Sequence, residues 1–383
     1  MSDTAPNLDK AAIRTHQAVL YASLELGYRN WLVTLLSSGS NKMSKRVIAG
    51  GDASGLVQLL KGFAAKAEER IGPTKIIIIQ EVGLDGFWIH RVLEQAGIES
   101  WLVDPASVSV PRRYRRVKTD KIDGEALIRV LAAFKRGEPR VCAMVVPPSP
   151  AAEDRRRLGR ERSALLKLRI EETNRIKGLL LSQGIRDYLP LSKDRHAKLE
   201  KLRTGDGRML PPYLKHEIAR ALDRLELILR QIGAVEAARD DAAKEAGSHS
   251  PVNVLTRLKA VGPSSANTLW TEAFFRAFEN RRQLAAYAGL APTPWRSGKI
   301  DREQGISKAG NVRLRSALIE LAWLWVRWQP ASRLSQWFVS RVADKRGRTR
   351  KIMIVALARK LLIALWRFCR EGTIPEGAVL SVA

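Results

Sequence analysis

Four carboxylates early in the chain occupy positions from which acids can act on phosphate. Glu25 ends a short apolar run, residues 21–26 (YASLEL), and Glu81 directly follows a run of isoleucines in residues 79–83 (IQEVG). Asp120 and Asp123 stand three apart in residues 118–123 (KTDKID), a spacing that lets both share one face at a helix start. Acids at the ends of adjacent strands, facing a helix with two more, can converge on a pair of hard cations. Magnesium prefers such oxygen ligands, with manganese as the substitute, and paired metals stabilise both the attacking and the leaving oxygen of phosphodiester chemistry. Taken singly, each acid has a plainer explanation: an aspartate favours the positive end of a helix, and a surface glutamate is solvated.

Cations surround these acids. Residues 111–118 (PRRYRRVK) hold Arg112, Arg113, Arg115, Arg116 and Lys118 around Tyr114, a density suited to neutralising a nucleic-acid backbone while the ring stacks on a base. Far downstream, residues 289–299 (GLAPTPWRSGK) place Ser297 between Arg296 and Lys299, and residues 305–315 (GISKAGNVRLR) add Lys308 and Arg313. A serine before glycine in such a cation-rich loop fits a nucleophile facing phosphate and fits a turn serine equally well. No histidine stands nearby to serve as its base, which argues against an acyl-transfer triad. Residues 258–263 (LKAVGP) read as the turn of a helix-hairpin-helix-like motif, with Gly262 letting backbone N–H groups approach a phosphate, or as a generic helix stop.

The elements that must position these residues fall into three regions. Residues 18–149 alternate strand-like and helix-like segments: strands at 19–26, 31–36 and 42–48, a helix at 53–71, the β-branched strand 75–80, a helix at 86–96, a strand at 99–103 and a helix at 120–136. Three early strands followed by alternating α and β elements is the order of a ribonuclease-H-like (RuvC-like) α/β domain. Residues 150–250 turn helical, with apolar residues three or four apart, as in Leu158, Leu165 and Leu168 or Leu222, Leu225 and Leu229. Pro211 and Pro212 break this region into long helices expected to form an arm or coiled-coil hairpin, the plainer alternative being an ordinary helical bundle. Residues 251–375 read as a mostly helical C-terminal domain, richer in Trp and Gly.

The net charge of +27, from 66 Lys and Arg against 39 Asp and Glu, favours a polyanionic partner. Only Cys142 and Cys369 occur, which excludes a disulfide scaffold and a cysteine zinc site and fits a reducing compartment. No apolar signal core opens the sequence, and the apolar stretch 355–368 is interrupted by Arg359 and Lys360. The expected setting is cytoplasmic, nucleoid-associated when bound to DNA, with no membrane partner.

Residues 81–83, 118–126 (KTDKIDGEA) and the block from Val261 to Arg315, in this order along nearly the whole chain, resemble the DEDD-type insertion-sequence transposases (the insertion-sequence one-ten/eleven-eleven family), whose better-studied members are guided by a bridge RNA. The resemblance implies a RuvC-like domain, a helical coiled-coil middle and a C-terminal domain bearing a serine nucleophile. By position it makes Glu25, Glu81, Asp120 and Asp123 the magnesium-binding tetrad and Ser297 the nucleophile; Asp85, which Gly83 and Gly86 could turn inward, is the alternative to Glu81. The family's first acid is usually aspartate, so Glu25 departs from the pattern by one methylene. It further implies double-stranded DNA at element ends and target, an element-encoded guide RNA, and a homo-oligomer, dimer or tetramer, in which one subunit's acids work with another's serine. The rival expectations are a RuvC-like nuclease that uses metal-activated water and a nucleic-acid-binding protein whose catalytic centre has decayed.

Overall fold

The computed structural model describes residues 18–37, 40, 42–83, 86–108, 120–139, 141–297, 300–343 and 347–381, with side chains 120–122 and 294–304 outside that description. The chain divides after Pro147 into two compact units.

The first unit is built on a five-stranded sheet ordered β3-β2-β1-β4-β5. Its strands are β1 (Ala18–Leu26), β2 (Asn30–Ser37), β3 (Ser44–Ala49), β4 (Thr74–Glu81) and β5 (Glu99–Val103). β1 pairs antiparallel with β2 and parallel with β4, so the sheet is mixed. The helices are α1 (Ala53–Ile71), α2 (Trp88–Gln95) and α3 (Asp120–Lys135). α1 begins where the Asp52 carboxylate accepts from the Gly55 N–H at 2.8 Å, and it ends before Gly72, at φ +84°. Strand alternation sends Leu20, Ala22, Leu24 and Ile78 to the face covered by Leu56 and Leu60 of α1 and Ile89 and Leu93 of α2. Val19, Tyr21, Ile77 and Ile79 face the other way, onto Leu127 and Leu131 of α3. The isoleucine run of β4 is therefore buried on both faces, as a central strand requires.

The second unit is mostly helical. α4 (Pro150–Leu181) opens with the Ser149 hydroxyl accepting from the Ala152 N–H at 3.2 Å and with Pro150 in its first turn. After the short α5 (Arg195–Lys201), α6 (Pro212–Glu245) returns along α4. Ile176 and Leu180 meet Ile218, Leu222 and Leu225, whereas Leu165 meets Ile228, Ile232 and Val235, so the two long helices run antiparallel. Beyond them come α7 (Pro251–Thr256), α8 (Pro263–Glu272), α9 (Arg281–Tyr287), the ribbon β6 (Pro292–Ser297) with β7 (Ile300–Ile306), then α10 (Val312–Trp328), α11 (Arg333–Val342) and α12 (Arg348–Glu371). Their core gathers Leu269, Leu284, Leu318, Trp325, Leu361 and Leu365 among others. Among the described residues, no helix is long and apolar enough to cross a membrane.

Candidate active site

The acids of the first unit are set by strand register. Leu24 of β1 lies beside Gln80 of β4 in a parallel pairing, so Glu25 and Glu81 come next at the same level at the carboxyl ends of adjacent strands. By alternation both belong to the face that carries Val19, Tyr21, Ile77 and Ile79, the face that α3 covers. α3 starts at Asp120, whose side chain lies outside the described residues, and Asp123 is half-buried one turn in.

Gly124 is the point of closest approach. The Ser23 hydroxyl donates to the Gly124 carbonyl at 2.8 Å. A Cβ placed on Gly124 would stand 2.6 Å from Thr34 Oγ1, 2.9 Å from Glu25 Oε1 and 3.1 Å from Ser23 Oγ. Glycine costs about 1 kcal/mol in a helix interior, so its place here has a packing reason: it lets the helix turn that bears Asp123 sit against Glu25. Thr34 is fully buried, and its hydroxyl has no hydrogen-bond partner among the described residues. A hard divalent cation suits this donor set, which is carboxylate and hydroxyl oxygen throughout. Among the described residues, no three His, Cys, Asp or Glu side chains are grouped closely enough to hold a metal. Asp85 and the basic segment Arg112, Arg113, Tyr114, Arg115, Arg116 and Lys118 lie outside the described residues.

Glu99 fixes the far end of α3. Burial pushes its carboxyl up, but hydrogen bonds from Lys135 of α3, Lys75 and the Trp101 indole outweigh that and hold its pKa at about 2. Lys135 Nζ stands 2.7 Å from Glu99 Oε1. Lys45 of β3 pairs with Glu125 at 2.5 Å, tying the start of α3 to the opposite edge of the sheet.

Ser297 ends β6 opposite Ile300, in a ribbon whose side chains 294–304 lie outside the described residues. The sequence reads as a loop here because Pro292 and Pro294 each remove a ladder donor. A two-stranded ribbon tolerates them through an irregularity between those two residues. Arg296 occupies the strand beside Ser297, and Lys299 falls outside the described residues. The feet of the ribbon are closely bound. Ser307 N–H donates to the Ala291 carbonyl at 2.9 Å, Lys308 N–H to Gly289 at 3.3 Å and Asn311 N–H to Tyr287 at 2.8 Å. Gly289 and Gly310 have φ of +66° and +95°, and at each a Cβ would run into a facing carbonyl. Lys308 is exposed with φ +57°.

Two residues expected at a phosphate have intramolecular roles. Arg313 donates to the Gly159 carbonyl at 2.9 Å and the Ser163 hydroxyl at 2.8 Å, both in α4. Gly262 caps α8 at an ordinary φ of −79°. The left-handed residue of that turn is Ala260, at +84°, and the Lys259 N–H is taken by the Val379 carbonyl. Sequence reasoning missed Ser23, Thr34 and Gly124. The glycine inside an otherwise good helix former, one residue after Asp123, was the available signal.

A family model described as "Transposase IS116/IS110/IS902 family" matches residues 252–336, the stretch from α7 through the ribbon into α11. The chain is 55% identical to the protein named "Putative transposase y4rJ" of Sinorhizobium fredii, over 97% of this chain and 96% of that one. It is 25% identical to the transposase for insertion sequence element IS1328 of Yersinia enterocolitica, over 78% and 85% of the two chains. A pilin gene-inverting protein of Moraxella lacunata is 36% identical over 25% of this chain and 29% of its own length. With a relative this similar along almost its entire length, the chain belongs to the IS116/IS110/IS902 family of transposases, enzymes of DNA recombination.

Proposed function

We propose that this transposase exchanges DNA strands by cut and rejoin, through a transient phosphoserine link formed on Ser297. The observation that carries the reading is the placement of Glu25 and Glu81 on one face at the carboxyl ends of β1 and β4, with the α3 turn after Asp123 packed close against Glu25. The strand order β3-β2-β1-β4-β5 supports a RuvC-like domain for the first unit. The long antiparallel helices of the second support a coiled-coil dimer contact.

Glu25, Glu81, Asp120 and Asp123 would hold magnesium, or manganese, which supplies positive charge to the scissile phosphate and the departing oxygen. The Ser297 oxygen forms a bond to phosphorus as the bond to the 3′-oxygen breaks. The serine proton leaves to solvent or a neighbouring base, and the 3′-oxygen is released as a hydroxyl. The reverse attack by a new 3′-hydroxyl rejoins the strand, so no water is consumed and the bond energy is conserved. The acids and Ser297 belong to different compact units, which suits an arrangement in which one subunit's acids serve another's serine. Target choice would come from a guide RNA encoded beside the gene, with Arg112, Arg113, Arg115, Arg116 and Lys118 neutralising backbone.

The test is a cleavage assay with labelled duplex DNA from the flanks of the gene, magnesium and the RNA transcribed from that flank. The wild-type chain should yield a protein–DNA adduct that survives denaturation, and Ser297→Ala should yield neither adduct nor cut. Retained cutting by that variant would replace the serine with metal-activated water.

A further inference from the structure

Glu272, the last residue of α8, has a side chain only 3% exposed. A carboxylate so buried requires matched charge and hydrogen bonds. Asn311 Nδ2 donates to its Oε2 at 2.9 Å, and the Nε atoms of Arg160 and Arg313 stand 3.4 and 3.8 Å from its Oε1. The partners come from two other elements, Arg160 from α4 and Arg313 from the first turn of α10. Arg313 extends the connection, since its Nη1 also binds Gly159 and Ser163 of α4. Nearby, the Arg156 guanidinium donates to the Thr271 carbonyl at 2.9 Å and lies 4.2 Å from the Phe275 ring centre. The base of α4 is thus bolted to the end of α8 through polar contacts.

Asn311 is where this network meets the ribbon. Its Oδ1 caps α10 by accepting from the Leu314 N–H at 3.0 Å, while its own N–H holds the Tyr287 carbonyl at the second foot of the β6–β7 ribbon. Asn311 therefore joins three places: its side chain caps α10 and binds Glu272, and its main chain holds the foot of the ribbon. Stability alone does not call for this design. A well-packed apolar residue at a buried site is usually at least as stabilising as an ion pair, whereas charge and hydrogen bonds impose direction.

We propose that Glu272 is a positioning residue for strand transfer, locking the foot of the Ser297 ribbon to the base of α4 through Asn311, Arg160 and Arg313. The inference rests on the serine reading above. It requires that cutting depend on this lock more than DNA binding does, because a reacting atom displaced by about 1 Å can lose a hundredfold in rate.

The experiment compares full-length variants in the flanking-duplex assay, with cleavage rate at saturating DNA and DNA affinity measured separately. Glu272→Gln keeps shape and an acceptor for Asn311 but loses the charge. It should cut roughly ten- to a hundredfold more slowly, with affinity within about twofold, and Glu272→Asp should recover part of the rate. Arg160→Gln alters a half-exposed partner on α4 and should slow cutting about fivefold at unchanged affinity, so it decides the matter if the glutamine variant fails to fold. Wild-type cutting by both variants, with Ser297→Ala inactive, overturns the proposal and leaves the serine reading standing. So does a loss of affinity as large as the loss of rate, which would mark a general structural role. Cutting by Ser297→Ala overturns the serine reading itself and this proposal with it.

Discussion

In the first unit, Glu25 and Glu81 reach their places through main-chain pairing: β1 and β4 lie in parallel register, and alternation settles the face. In the second unit, β6, which ends at Ser297, pairs with β7 alone among the described residues, and the place of that ribbon depends on its feet. Those feet are held by left-handed glycines, by an asparagine cap and by a buried carboxylate whose arginines come from α4 and α10. A sheet fixes position through many repeated bonds, none of which is decisive. A clamp fixes it through a few side chains, each of which matters. The acid half should accordingly tolerate changes in its strands away from the Gly124 contact, while the serine half should be sensitive to substitutions well away from Ser297.

The largest effect expected is on chemistry with the fold intact. Asp123→Asn keeps the shape of α3 but removes a charge from the acid face, and should lower strand cleavage about a hundred- to a thousandfold with no loss of melting temperature, the cost of removing one electrostatic contributor. Cleavage near the wild-type rate would take Asp123 out of the acid site.

Next come the two glycines, one in each half. Gly124→Ala pushes a methyl against Glu25 and Thr34 and should cost about 1–3 kcal/mol by overpacking, read by thermal denaturation. Gly310→Ala must adopt φ +95° against the Tyr287 carbonyl and should cost a similar 1–3 kcal/mol in strain. The contrast lies in a second readout. Manganese binding by calorimetry should weaken in Gly124→Ala and be unchanged in Gly310→Ala, while both lose strand transfer. Equal manganese affinity in the two variants would break the distinction between the halves.

The smallest effect is a pH dependence confined to the first unit. The Glu99 carboxyl, held at about 2 in the folded chain against an ordinary 4.5, favours the folded state while it is ionised. That contribution is fully present above about pH 4.5 and is lost as pH falls toward 2. Glu99→Gln should therefore lower stability by about 1 kcal/mol at pH 7, the size of a partly screened ion pair, and flatten the acid limb of the curve. An unchanged acid limb would show that Lys75 and Lys135 do not hold α3 through Glu99.

How much of this was legible in the sequence follows the same division. The strands and the helix start at Asp120 could be read from alternation, β-branched runs and spacing, because those signals are local. The pairing of Leu24 with Gln80 could not, since register joins residues far apart in sequence. The ribbon at 292–306 reads as a loop, its two prolines masking a pairing that needs few donors. The bonds of Arg313 to Gly159 and Ser163 could not be read either, since those partners lie about 150 residues upstream. Glu272 has no local mark, since a carboxylate's burial depends on cations that only the fold brings to it.

The antiparallel run of α4 and α6 has a consequence for length. The cluster of Tyr188, Leu199 and Leu210 with Ile176 and Leu222 closes the far end with its own small core, while the near end is anchored at Arg156 and Arg160. Residues removed in matched pairs from both helices between these ends would leave each end intact and move them closer by about 1.5 Å per residue. A cut of seven from each nearly preserves the helical phase, with about 20° of drift, and shortens the reach by about 10 Å. The helix pair is a ruler with graduated marks. If related elements differ in the spacing of the two DNA segments they join, this is where the chain can lengthen or shorten without redesigning either end.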